Sequence, residues 1–146
     1  MECYQIPARP VALLLPVECV ADIVSKPEIE VYDDSPAKWM NGHLNWQNQR
    51  IPIMSYAALT DPELDEGDQE NPHVVVLNPV PDAARRVYSG LLCFGEVKTV
   101  DVDASAKFCD LPAGLDKRYT EAALNFAGST LVIPKLSAIA VAFSYF

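Results

Sequence analysis

Apolar positions along the chain fall into short runs between polar turns, among them VALLLP, IPIMSY, VVVL and STLVIP. Runs of about four to eight apolar residues bounded by turn signals read as strands. Twelve prolines scattered along the chain support this, because each removes a backbone donor and breaks a helix interior. The expected class is mainly β.

The clearest unit is GHLNWQNQRIPIMSY. Leu44 and Trp46 precede the polar residues Gln47, Asn48 and Gln49, and apolar character resumes at Ile51, Ile53 and Met54. This is a hairpin pattern, with Asn48 as pivot because Asn adopts left-handed backbone more readily than other non-glycine residues. PVECVADIVS is ambiguous. Val17, Val20, Ala21 and Val24 share one helical face, whereas the β-branched content suits a strand.

From Thr60 to Pro72 the chain reads TDPELDEGDQENP, six carboxylates without a basic residue, as expected of a solvated loop. It divides a first group of strands from a second, expected at His73 to Asn78, Arg86 to Phe94, Glu96 to Asp103 and Thr130 to Pro134. The simplest arrangement is one domain over residues 1–146 built from two small β units. Leu131 to Phe146 is the longest apolar stretch, but Pro134 and Lys135 interrupt it and it is shorter than the roughly 18 residues of a membrane span. It reads as a last strand followed by a packed C-terminal segment.

A net charge of -9 argues against nucleic acid or an anionic membrane as partner, since such binding depends on Lys and Arg neutralising phosphates. The opening MECYQIPARP carries no secretory pattern, so the expectation is a cytoplasmic chain with reduced thiols. Cys3, Cys19, Cys93 and Cys109 lie far apart, with no CxxC pair and no His at zinc-ligand spacing. No metal site is expected.

Chemistry is otherwise thin. A thiol enzyme could use Cys93 or Cys109 with His43 or His73, but no motif surrounds any cysteine. The acidic loop departs from the EF-hand ligand pattern. Trp39 and Trp46 suit core packing better than a ligand shelf. Six glycines form no phosphate-binding loop, so no cofactor is expected. An acidic inhibitor that neutralises a basic partner is a further alternative, suggested by charge alone.

SPAKWMNGHLNWQNQRIPIMSYAAL resembles the central signature of the CheW-like domain family, with Gly42, Asn45, Trp46 and Pro52 keeping its frame. It is most similar to accessory CheW-like proteins of type IV pilus chemosensory systems, the ChpC-like group, whose turn reads roughly NWRDQR. VALLLPVECVADIV, NPHVVVLNP, RRVYSGLLCFGEVKTVDV and STLVIPKLSAI also fall in family order, so the resemblance covers nearly the whole chain. It implies two small SH3-like β-barrels sharing an apolar core, short helical segments, and no active site or cofactor.

The function implied is that of a coupling scaffold, joining a methyl-accepting chemoreceptor-type protein to the regulatory domain of a CheA-type histidine kinase. In the type IV pilus branch this would serve twitching motility, with the protein held in the cytoplasm and recruited to membrane-associated receptor arrays. Val20 and Asp22 match an edge that contacts partners, and Asn45 matches the Asn of the turn. Gln47 and Asn48 stand where the family has Arg and Gly. Losing the Arg's charge-assisted hydrogen bond costs about 1.5–3 kcal/mol, or one to two decades of receptor affinity. Arg50, three residues on, is the candidate to replace that charge.

Overall fold

The computed structural model of the chain describes residues 1–8, 11–31, 40–56, 58, 71–80 and 88–143. The acidic loop, Trp39 and the start of the strand expected from Arg86 lie outside these residues. The strands are β1 (Glu2–Pro7), β2 (Ala12–Pro16), β3 (Val20–Ser25), β4 (Ile29–Val31), β5 (Met40–Trp46), β6 (Gln49–Met54), β7 (Pro72–Leu77), β8 (Ser89–Phe94), β9 (Lys98–Asp101), β10 (Lys107–Cys109), β11 (Thr120–Phe126) and β12 (Ser129–Pro134). A 3-10 turn occupies Val17–Cys19, and helix α1 spans Leu136–Phe143.

The strands form two six-stranded sheets, ordered β10-β11-β12-β2-β1-β9 and β3-β7-β8-β6-β5-β4. We call them sheet A and sheet B. Antiparallel pairs dominate both, but each has one parallel pair in its middle, β12 with β2 and β6 with β8. The class is therefore mainly β, as the runs and prolines predict.

Side-chain alternation explains how the sheets share a core. Successive residues of a strand point to opposite faces, and in β7 both faces are covered. Val74 and Val76 enter a cluster with Leu44, Trp46, Ile51 and Ile53 that sheet B wraps. Val75 and Leu77 enter a second cluster, where Met54, Leu91 and Cys93 of sheet B meet Ile6, Leu13, Leu15, Ala123 and Val132 of sheet A. Sheet A wraps a third cluster of Cys3, Leu14, Leu124 and Leu131. Strands β2 and β7 thus read as unbroken apolar runs because neither has a solvent face.

The central cluster is completed by Ile139 of α1 and by Tyr56, whose hydroxyl lies 2.6 Å from the hydroxyl of Thr120 on β11. Both residues are buried, so the two polar groups satisfy each other inside an apolar environment. Ser55 opens a helical turn at Tyr56, its Oγ accepting the backbone N–H of Ala58 at 3.2 Å. The ambiguous PVECVADIVS divides into the 3-10 turn and then β3, with Asn78 holding the turn by donating to the carbonyls of Glu18 and Cys19.

At Gly90, β8 leaves no room for a side chain against its neighbours β6 and β7. A Cβ there would lie 2.5 Å from Cδ1 of Ile53 and 2.7 Å from Cγ1 of Val74. We expect Gly90→Ala to destabilise the fold by about 1–3 kcal/mol through overpacking. Denaturant unfolding of the two proteins checks this.

Candidate partner surface

The hairpin expected around Asn48 is present. β5 and β6 pair from Met40–Met54 to Trp46–Gln49, leaving Gln47 and Asn48 as a two-residue turn. Both have positive φ, 48° and 61°. That is the type I′ geometry, whose twist matches that of the flanking strands. Asn48 suits its position, whereas Gln47 holds a left-handed conformation with a long side chain that gains nothing locally from it. Both side chains are exposed at the tip.

Asn45 and Arg50 are cross-strand partners, as are His43 and Pro52, and His43 also faces Glu30 of β4. These residues share the outer face of the hairpin, opposite to Leu44, Trp46, Ile51 and Ile53. Arg50 reaches Glu30 with 3.4 Å between Nη2 and Oε2, and both side chains are about three-fifths exposed (60% and 59%). Such an ion pair contributes about 0–1 kcal/mol. Arg50 can therefore turn to another carboxylate at little cost.

Val20 and Asp22 lie on β3, an edge strand of sheet B. A bulge separates them: Val20 pairs with Leu77 and Asp22 with Val76, which leaves Ala21 as the extra residue. The bulge moves the strand from one face to the other. Val20 packs on the central core with Leu77, while Asp22 falls on the side of Val76 and the sheet B core. Ala21 is exposed. Asp22 Oδ2 accepts the indole N–H of Trp46 at 2.9 Å, and Oδ1 accepts the backbone N–H of Ile23 at 2.8 Å. Trp46 stacks obliquely on Tyr88, ring centres 4.9 Å apart.

Of the six residues singled out in the sequence, four therefore share one hairpin. Asp22 joins them through Trp46, and Val20 turns away toward the core. Sequence reasoning missed Glu30, which lies 20 positions before Arg50 with no pattern connecting them. It also missed Ala21, since a bulge leaves no mark in residue types, and it placed Trp46 in the core without its polar bond.

The thiols are arranged otherwise. His73 and Cys93 are cross-strand partners on β7 and β8, so the register does bring one expected Cys–His combination together. Burial pushes the Cys93 thiol up to about 12, however, whereas a nucleophilic Cys needs a stabilised thiolate. His73 Nδ1 is 3.0 Å from the carbonyl of Asn71. All four cysteines are free. Among the described residues no group of His, Cys, Asp and Glu is placed to hold a metal ion, and no helix is long and apolar enough to cross a membrane.

Two six-stranded sheets, each wrapped on its own core and joined through a third, define a mainly β fold of two packed units. The chain belongs to the CheW-like domain family, whose model matches residues 7–141. A search of the curated proteins finds no match. Among solved structures the fold is similar to the scaffolding protein TtCheW from Thermoanaerobacter tengcongensis, with a TM-score of 0.71 and 13% identity over 92% of this chain and 88% of that one. A likeness at that identity speaks to the fold.

His43 on the hairpin gives this face a pH dependence. Burial, and then the charge of Arg50, hold its imidazole below the usual 6.5, against a smaller opposing effect of Glu30. The unfolded chain then binds the proton more readily than the folded one, so stability falls as pH drops below about 6.5. We expect His43→Asn to flatten that part of the stability profile, as read by thermal unfolding from pH 7.5 downward.

Proposed function

We propose that this protein is a coupling scaffold, acting through its surfaces to bring a chemoreceptor-type protein to the CheW-homologous regulatory domain of a CheA-type histidine kinase. The observation that carries this is the family match over residues 7–141. In this reading the whole chain works as one domain of two β units in the cytoplasm, reaching membrane-associated arrays through its partners. Partners then meet Asn45, Gln47, Asn48 and Arg50 on the hairpin and the β3 edge at Val20 and Asp22, where the exposed Ala21 bulge between them offers the contact. The narrower assignment to type IV pilus and twitching signalling rests on the turn sequence NWQNQR alone. A cysteine-dependent enzyme built on Cys93 is disfavoured by the burial of that thiol.

Titration of the purified protein against the regulatory domain of a CheA-type kinase from the same organism tests the reading. Saturable binding is expected, and Ala21→Arg, a bulky charge on the exposed bulge, should abolish it. An absence of binding up to about 100 µM would overturn the kinase-coupling role. Arg50 is assigned to the receptor. Arg50→Ala should weaken receptor binding by about tenfold, or about 1.4 kcal/mol, while leaving folding stability within about 0.5 kcal/mol. Unchanged receptor affinity would mean that Arg50 does not replace the charge that Gln47 lacks.

A further inference from the structure

Sheet B is closed on one side without a backbone ladder. Strand β3 hydrogen-bonds to β7, and among the described residues no strand pairs with its other side. Strands β4 and β5 lie at the opposite end of the sheet order. Even so, Asp22 of β3 and Trp46 of β5 meet at 2.9 Å, which requires the sheet to curl until its two ends face each other across a seam. The bulge at Ala21 makes this possible, because in a regular strand Asp22, two positions after Val20, would share its face and point toward the central core.

We infer that Asp22 and Trp46 form a clasp that holds the β3 edge against the β5–β6 hairpin, and that partner affinity depends on this clasp rather than on direct contact with the Asp22 carboxylate. This rests on the coupling role proposed above. Both carboxylate oxygens are already engaged within the chain, by the Trp46 indole and by the backbone N–H of Ile23. Those two bonds fix the carboxylate's orientation toward Trp46 and the β3 backbone, so the group is committed to holding the seam even though each oxygen keeps a further lone pair. What the clasp does is fix the exposed Ala21 bulge relative to the exposed turn at Gln47 and Asn48, directly next to Trp46. A surface made of two such pieces binds well only when they are held in one arrangement before the partner arrives. Asp22 and Trp46 are thus positioning residues.

The test is a double-mutant cycle in binding to the CheA-type regulatory domain, using Asp22→Ala and Trp46→Phe, with Asp22→Asn as the variant that removes the charge but keeps an acceptor. Trp46→Phe removes the N–H donor while keeping an aromatic ring. Each single change of the cycle should weaken binding about tenfold, on the scale of one hydrogen bond to a charged group. The double variant should be no weaker than either single one, and the salt dependence of binding should not change with Asp22→Asn. Additive losses, or a loss for Asp22→Asn alone together with reduced salt dependence, would show a direct charge contact and overturn the clasp's role.

Hydrogen exchange of the Trp46 indole N–H, assigned by its loss in Trp46→Phe, separates the two layers. Slow exchange in the native protein that becomes fast in Asp22→Ala supports the clasp. Unchanged exchange removes it, whatever the kinase does. If the native protein binds no regulatory domain while the indole behaves as expected, the coupling role and the claim about affinity fall and only the structural clasp stands.

Discussion

Burial of both faces of the same strands is the constraint on which this structure depends. In β7, Val74, Val75 and Val76 are each fully buried, yet alternate residues belong to different cores. β2 does the same in sheet A, with Leu13 and Leu15 in the central cluster and Leu14 in the sheet's own. The central cluster is thus built from the backs of two sheets that are each already closed on a core. Separating the sheets would expose apolar surface on both, at about 25 cal/mol for every Å². Their relative placement is fixed by packing, with the Tyr56–Thr120 hydrogen bond as the buried polar link.

With the sheets held in this way, the variable features move to their ends. Two tight turns have the same backbone form: Gln47 and Asn48 at the end of β5, and Ala127 and Gly128 between β11 and β12, all with positive φ. Neither turn has the Asn-Gly pair that this geometry favours most, so each places one residue where its side chain is poorly suited. The fold tolerates that local cost because the paired strands on either side are anchored in a core. The hairpin tip can therefore vary in chemistry without losing its shape.

Much of this was legible in the sequence and some was not, for physical reasons. The apolar runs marked β2, β6, β7 and β12 because strands covered on both faces, or nearly so, have no polar alternation to obscure them. The turn at Asn48 was legible because its residue types carry the geometry. β10 and β11 were not: Glu121, Ala122 and Ala123 have helix-forming composition, and tertiary pairing with β12 overrides it. At the candidate site, the hairpin residues could be read as a group because they are close in sequence. The Asp22–Trp46 pair could not, since it depends on how far sheet B curls, and neither could Arg50–Glu30, which depends on β4 pairing with the far side of β5.

The order of strands also has a consequence for how the chain comes to be folded. Sheet B is drawn from one continuous stretch, β3 to β8, whereas sheet A combines β1 and β2 with β9 to β12, and its parallel β2–β12 pair joins the two ends of the described chain. During synthesis the strands of sheet B are all available before β12 has left the ribosome, but β2, paired with β1 on one side, must wait with its other backbone edge open and the Leu14 face only partly covered until β12 arrives. The chain before β12 therefore carries an open strand edge that only β12 can cap, and a ribosome-bound chain stopped before Ser129 would be a form in need of a chaperone.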